Sequence, residues 1–166
     1  MSEPFGTALV ITISTRAAAG VYDDESGPVI AASLSEAGLL VDGPQIVPDG
    51  KAVGGALTDA VAHGYDVIIT TGGTGLSPTD DTPEQTRPLV DKELPHLSAA
   101  ITQHGVDQGV PTAVLSRGLA GVAGRSLVIN LPGSRGGARD GMAVVQPLLR
   151  HAIGQLRGDD HPRPGH

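Results

Sequence analysis

The chain contains no cysteine and no tryptophan, and Phe5, Tyr22 and Tyr65 are its only aromatic residues. Without cysteine there is no disulfide framework and no thiolate to complete a zinc site. The six histidines form no His-x-x-x-His pair either, so none is assigned to a metal. Three aromatics offer no stacking platform for single-stranded nucleic acid, and a net charge of −7 offers no basic face for a phosphate backbone. No nucleic-acid partner is therefore expected. A run of about twenty apolar residues is also missing, so no membrane span is expected. The start, Met1-Ser2-Glu3-Pro4-Phe5-Gly6, carries no basic stretch leading into an apolar one, which makes a secretory signal unexpected and the cytoplasm the expected location. No Gly-x-Ser-x-Gly elbow supports serine-hydrolase chemistry.

What is present suits one globular unit. A length of 166 residues with 39% hydrophobic residues supports one domain, placed at residues 1–157, and no repeat or interior linker divides it. The tail 158–166, built of Gly, Asp, Pro, Arg and His, is expected to be disordered. Ala8 to Ser14 is a β-branched run, and helical spacing follows from Gly27 to Gly38. Gln45 to Val47 reads as a second strand, Ala52 to Ala62 as a helix, and Asp66 to Thr70 as a third strand. Glu84 to Glu93 and Leu97 to Gln103 read as helical. Thr112 to Ser116 and Ser126 to Leu131 read as strands joined by glycine-rich residues 118–124, and Met142 to Leu156 as a closing helix. Strands separated by helices imply an α/β fold with a mostly parallel sheet and helices on both faces.

The most informative stretch runs from Ile68 through Thr70-Thr71-Gly72-Gly73-Thr74-Gly75 to Asp80-Asp81-Thr82-Pro83-Glu84. A buried strand leads into a glycine turn, two acids and a helix start. Gly72, Gly73 and Gly75 lack a Cβ, so backbone N–H groups can approach an anion closely. Thr82 is read as the N-cap with Pro83 at the first helical position. No Gly-Lys-Ser/Thr follows, and Gly-x-Gly-x-x-Gly spacing is absent, so this is neither a Walker loop nor a dinucleotide fingerprint.

Further candidates end neighbouring strands. Pro132-Gly133-Ser134 follows Ile129-Asn130-Leu131 and leads into a helix, giving a second N-terminus able to hold phosphate oxygens, with Ser134 as its cap. Asp49 follows the second strand, and is read both as an N-cap for the helix near Ala52 and, with Asp80, as a holder of Mg²⁺, which favours one or two carboxylates plus substrate phosphates. Ser116-Arg117 is read as the end of another strand on this edge, offering a hydroxyl and a guanidinium. Tyr22-Asp23-Asp24-Glu25 is read as a flexible acidic loop.

Taken together, Thr71-Gly72-Gly73-Thr74-Gly75, Asp80, Thr82-Pro83-Glu84, Ser116-Arg117, Ala120-Gly121 and Leu127 to Ser134 resemble the molybdopterin-binding family of molybdenum cofactor biosynthesis, and within it the single-domain molybdopterin adenylyltransferases. The resemblance runs from about Ala8 to Leu156. It implies a three-layer α/β/α sandwich, commonly a homotrimer, and transfer of AMP from ATP to the terminal phosphate of molybdopterin with Mg²⁺ and release of pyrophosphate. By the same resemblance Asp49 and Asp80 are catalytic and near the metal. Gly72, Gly73, Thr74, Gly75, Pro132, Gly133 and Ser134 meet the nucleotide, and Ser14, Ser116 and Arg117 meet the pterin. A downstream molybdate-insertion protein is an implied partner. Two departures stand out: Thr15 where the family often has Asp between Ser and Arg, and Arg135 where it has Pro. The alternative expectation is a non-catalytic pterin carrier or scaffold of the same fold.

Overall fold

The computed structural model describes residues 2–159. Alternate residues of its central strands supply two different cores. Ala8 and Val10 of β1 (Thr7–Ile13) face one side with Val67 and Ile69 of β3 (Val67–Thr71) and with Leu127, Ile129 and Leu131 of β6 (Ser126–Leu131). Leu9, Ile11, Ile13, Ile68 and Val128 face the other. This period of two, with both faces apolar, marks strands covered on both sides.

Helices fill both layers, beyond the single-turn α1 (Thr15–Ala18) that follows β1. Over the first face lie α2 (Ser26–Ala37), α6 (Arg135–Val145) and α7 (Leu149–Leu156), which bury Ile30, Leu34, Met142, Val145, Leu149 and Ile153, with α5 (Pro95–Asp107) at their flank through Leu97 and Ile101. Over the second lies α3 (Lys51–His63), whose Val53, Ala56, Leu57 and Ala60 recur at one helical face. The expected three-layer α/β/α sandwich is thus what forms.

The sheet order is β2-β1-β3-β6-β5-β4, with β2 at Leu40–Val47, β4 at Lys92–Glu93 and β5 at Ala120–Ala123. The pairs among β2, β1, β3 and β6 are parallel, while β5 runs antiparallel to both β6 and β4. The chain leaves β1 for β2 on one side and returns to β3 on the other. The β1/β3 boundary is therefore a topological switch point, where the loops after neighbouring strands diverge and leave a crevice.

Several expected elements differ. Thr112 to Ser116 is not a strand: Pro111–Leu115 forms a 3₁₀ turn, with Ser116 N donating to Ala113 O at 3.1 Å, and none of its residues is buried. Pro111 fixes φ and removes a donor, which favours a turn over a ladder. Part of the glycine-rich connection is instead β5, hairpin-paired with β6. The helix expected over 84–93 is the short α4 (Thr82–Thr86), followed by a 3₁₀ turn at Arg87–Leu89 and by β4. The closing helix begins earlier, at Arg135, and is interrupted at Gln146–Leu148, where Pro147 cannot donate. Of the expected disordered tail, Gly158 and Asp159 continue the end of α7 through bonds to Gln155 O and Gly154 O. Residues 160–166 lie outside the described residues.

Candidate active site

All four parallel strands deliver their carboxyl ends to one edge. Ser14 follows β1, Asp49 follows β2, the Gly72–Asp80 loop follows β3, and Pro132–Ser134 follows β6. Thr71 and Leu131 are paired across β3 and β6, which sets the two glycine turns side by side.

The first turn is built around glycine. Gly72 has φ +103° and Gly73 φ +69°, and a Cβ on Gly72 would overlap the carbonyl oxygen of Ile13. Only glycine fits both the dihedral and the space. A Cβ on Gly133 would lie 3.1 Å from Gly72 Cα, so the two turns pack backbone to backbone. Beneath them, Thr82 Oγ1 donates to Gly72 O at 2.9 Å and Thr82 N to Gly73 O at 3.0 Å. Thr82 is thus the first residue of α4 rather than its cap; Asp81 occupies the N-cap position without a side-chain cap bond. The carboxylate of Asp81 accepts from Gly50 N at 3.1 Å and Gln85 Nε2 at 3.2 Å, tying the loop after β2 to α4.

A second support is a buried polar network. Asn130 Nδ2 donates to Thr70 Oγ1 at 2.9 Å and to Thr86 Oγ1 at 3.1 Å, and its Oδ1 accepts from Leu119 N at 3.1 Å. Thr71 Oγ1 meets Pro132 O at 2.7 Å and Ser26 Oγ at 3.0 Å. These contacts fasten β3, β6, α2 and α4 to one another at the height of the turns.

Two cavities open on this edge. The larger, about 1200 Å³, lies over the switch point and is lined by Ser14, Thr15, Arg16, Tyr22, Asp49, Gly72, Thr79 and Arg135 among others. The smaller, about 740 Å³, lies between the glycine loop, α5, the 3₁₀ turn after it and the start of α6. Gly73, Asp80, Gly133 and Ser134 line both cavities and form their common rim.

The candidate residues distribute between them as follows. Asp49 and Asp80 both line the larger cavity, on the same side of the molecule. Asp49 does not cap α3, which begins at Lys51 with Gly50 as its N-cap. Instead Thr15 Oγ1 donates to Asp49 Oδ2 at 2.9 Å and accepts from Asp49 N at 3.2 Å, so the threonine found in place of an acid orients this carboxylate. Asp80 Oδ2 accepts from Ser77 N at 3.1 Å. Ser134 caps α6, accepting from Gly137 N at 3.0 Å.

Ser14 and Ser116 do not share a cavity: Ser14 lines the larger and Ser116 the smaller. Arg117 lines neither, because its guanidinium is spent on the loop. Its Nε donates to Gly75 O and its Nη2 to Asp80 O, each at 2.9 Å, while Nη1 reaches both oxygens of Glu84 at 2.9 and 2.7 Å. The acidic loop is held as well, with Asp24 accepting from Thr12 Oγ1 at 2.7 Å and from Gly27 N at 2.9 Å.

Sequence reasoning missed the outer wall of the smaller cavity, which comes from Ser98, Ile101, Thr102 and Gly105 of α5 and from Arg139, Asp140 and Gly141 of α6. The available signal was the acid–cation pair Arg139–Asp140, five and six residues beyond Ser134.

Among the described residues, no group of three or more His, Asp or Glu side chains is gathered to hold a metal ion. Asp49 and Asp80 supply two hard carboxylate donors to one cavity, a set that suits Mg²⁺ when substrate phosphates complete the shell. Among the described residues no helix is long and apolar enough to cross a membrane.

An α/β protein with paired chambers meeting over glycine turns at a topological switch point is the class that fold and site define. The chain belongs to the family described as the probable molybdopterin binding domain, whose model matches residues 9–151. It is 38% identical over 153 residues to the molybdopterin adenylyltransferase of Pyrococcus furiosus, covering 89% of each chain. It is 41% identical over 158 residues to the molybdenum cofactor synthesis protein cinnamon of Drosophila melanogaster, covering 91% of this chain and 25% of that one. The chain therefore spans only a quarter of that relative, and about half of the bifunctional molybdenum cofactor biosynthesis protein of Synechococcus elongatus, where it covers 48%. Among solved structures, the molybdopterin biosynthesis Mog protein from Mycobacterium ulcerans superposes with a TM-score of 0.85 at 52% identity, covering 91% of this chain and 99% of that one.

Proposed function

We propose that this chain acts in molybdenum cofactor biosynthesis as a molybdopterin adenylyltransferase, joining AMP from ATP to the terminal phosphate of molybdopterin and releasing pyrophosphate. The observation that carries this reading is the pair of cavities sharing the rim of Gly73, Asp80, Gly133 and Ser134. A reaction between two phosphorylated ligands needs two chambers that meet where their phosphates meet. Relatives of nearly the same length that bear the adenylyltransferase name support it.

In this reading ATP occupies the larger cavity, where Arg16 and Arg135 face its polyphosphate, and the pterin enters the smaller. The nucleophile is a phosphate oxygen of the pterin, already anionic near neutral pH, so no side chain has to remove its proton. This oxygen forms a bond to the α-phosphorus while the bond from that phosphorus to the β-bridging oxygen breaks, and pyrophosphate leaves. Backbone N–H groups of Gly73, Thr74 and Gly75 and of Gly133 and Ser134 hold phosphate oxygens, the N–H of Gly72 being committed to Leu131 O at 3.0 Å, and the N-terminus of α6 adds its partial positive charge. Asp49 and Asp80 would hold Mg²⁺, which when bound would supply charge neutralisation to the phosphates. Thr15 keeps Asp49 turned toward that cavity, and Arg117 keeps the carbonyls of Gly75 and Asp80 in place. The functional particle is a homotrimer in the cytoplasm that passes its product to a molybdate-insertion protein.

Pyrophosphate measured after mixing protein, ATP, Mg²⁺ and molybdopterin tests the reading. It is expected only when all four are present, and Asp80→Asn is expected to slow its formation by at least a hundredfold and to raise the Mg²⁺ demand. Binding of molybdopterin with no pyrophosphate formed would favour a carrier role. Turnover of ATP without pterin would point to a different nucleotide enzyme.

A further inference from the structure

The carboxylate of Asp140 has no function in the reading above, yet it lines the smaller cavity from the first turns of α6. Its side chain is only 14% exposed. Its charged partner among the described residues is Arg139 Nε, at 3.7 Å, on a side chain that is 74% exposed. At that distance and exposure the pair is weak and screened by solvent. Asp140 is thus a largely desolvated carboxylate with unused acceptor capacity at the wall of a 740 Å³ cavity.

Two of the polar side chains around it are already committed. Asn130 spends both its amide hydrogens and its carbonyl on Thr70, Thr86 and Leu119. Ser116 Oγ donates to Thr74 Oγ1 at 3.3 Å and accepts from Gly118 N at 3.4 Å. Asp80 stands at the rim, where phosphates are expected. The rest of the wall combines glycine and aliphatic residues, including Ile101, Gly105, Leu115 and Gly137, with the uncharged Ser98, Thr102, Gln108 and Thr112. Apart from Asp80 at the rim, Asp140 is the one carboxylate that lines this cavity, and it alone there offers a pair of acceptors and no donor to the edge of a flat ring.

We infer that Asp140 is a specificity-determining residue that accepts paired hydrogen bonds from the 2-amino and N3–H groups of a 2-amino-4-oxo ring, so that the smaller cavity takes the pterin and not the adenine. This rests on the adenylyltransferase reading only for the identity of the two heterocycles. A carboxylate has two acceptor oxygens side by side and no donor. The 2-amino-4-oxo edge presents two donors side by side and matches it. Adenine presents a donor next to the N1 lone pair, and lumazine, with a 2-oxo group, presents a donor next to a carbonyl; each sets an acceptor against an acceptor. Sites built to pair a specific polar edge reject the unmatched analogue strongly, because the buried group is left unpaired.

Fluorescence titration of the full chain with pterin and with lumazine tests this directly, since the protein has no tryptophan to interfere. Wild type is expected to bind pterin about ten- to hundredfold more tightly than lumazine, the worth of a hydrogen bond to a charged group. Asp140→Asn is expected to reduce that ratio to within about threefold while leaving the Kd for ATP unchanged within about twofold. Equal binding of the two rings by wild type, or binding of neither, would overturn the inference without requiring any variant to fold. Parallel loss of ATP binding in a folded Asp140→Asn protein would also overturn it. Selective pterin binding without pyrophosphate formation would sustain this inference and end the enzyme reading, which separates the two.

Discussion

Replacing Arg117 with methionine separates a ligand-contacting arginine from one that builds the loop. The guanidinium makes four contacts within the protein: one to Gly75 O, one to Asp80 O and two to Glu84. The pair with Glu84 is about a third and half exposed on its two sides, at 35% and 55%, so screening leaves it about 0.5 kcal/mol. The two bonds to carbonyls are made by a charged donor and hold a loop otherwise anchored by Arg117 N on Thr74 O; each is worth about 1 to 1.5 kcal/mol. The sum is about 3 kcal/mol, which at a urea m-value of about 2 kcal/mol/M moves the unfolding midpoint down by about 1.5 M. Methionine keeps the aliphatic stem, so lost packing contributes little. Urea denaturation of wild type, Arg117→Met and Glu84→Gln is the assay, with Glu84→Gln expected to cost under about 0.5 kcal/mol. A midpoint unmoved by more than about 0.3 M in Arg117→Met, together with a tenfold loss of molybdopterin affinity, would refute the reasoning and return this arginine to the ligand.

Other perturbations probe the turns and the network beneath them. Gly73→Ala places a methyl against Thr82 Oγ1 and 3.1 Å from Asp49 Oδ1 at φ +69°, and is expected to cost about 2 to 3 kcal/mol and at least tenfold in ATP affinity. Gly50→Ala, also at positive φ but with nothing within 4 Å of the new methyl, is the control and is expected to cost only about 1 kcal/mol by thermal denaturation. Asn130→Ala leaves the buried Leu119 N–H unpaired and removes two further hydrogen bonds, an expected loss of about 3 kcal/mol in urea unfolding. Tyr65 donates to Asp42 at 2.6 Å, and this hydrogen bond, reinforced by burial and by the negative charge of Asp42, pushes its phenol up to about 12. The folded state therefore favours the protonated phenol: the contribution is complete below pH 10 and is lost as pH rises from about 10 to about 12, so Tyr65→Phe is expected to flatten the stability profile in that window.

The sequence carried the parallel core well because its signals are local. Val67 to Thr71 is a continuous apolar or β-branched run, and Leu127 to Leu131 is one broken only by Asn130; both end in glycine turns and are too short for a helix. The same logic placed Asp49, Gly72, Asp80 and Ser134 along one edge, since parallel strands send successive carboxyl ends the same way. It failed where tertiary contacts decide. Thr112 to Leu115 has a strand's composition, but Pro111 and the absence of burial make it a turn. Ala120 to Ala123 is glycine-flanked and reads as a loop, yet pairs with β6 and with β4. The start of α6, with Gly136, Gly137 and Gly141, has poor helix propensity, and Ser134 with the packing of Ala138, Met142 and Val145 overrides it. Missing that start hid Asp140. The bonds that Arg117 makes were out of reach for a different reason: its partners, Gly75 O, Asp80 O and Glu84, lie more than thirty residues away in sequence, and no local pattern announces a clamp of that kind.

The central claim is that two chambers bring a pterin phosphate to the α-phosphorus of ATP across the rim of Gly73, Asp80, Gly133 and Ser134. Incubating the protein and molybdopterin with ATP carrying its radiolabel at the α-phosphate, and in parallel at the γ-phosphate, follows the bond that is made. The account predicts α-label on the pterin and γ-label in pyrophosphate alone. Label from the γ-position on the pterin, or none from either, would contradict it.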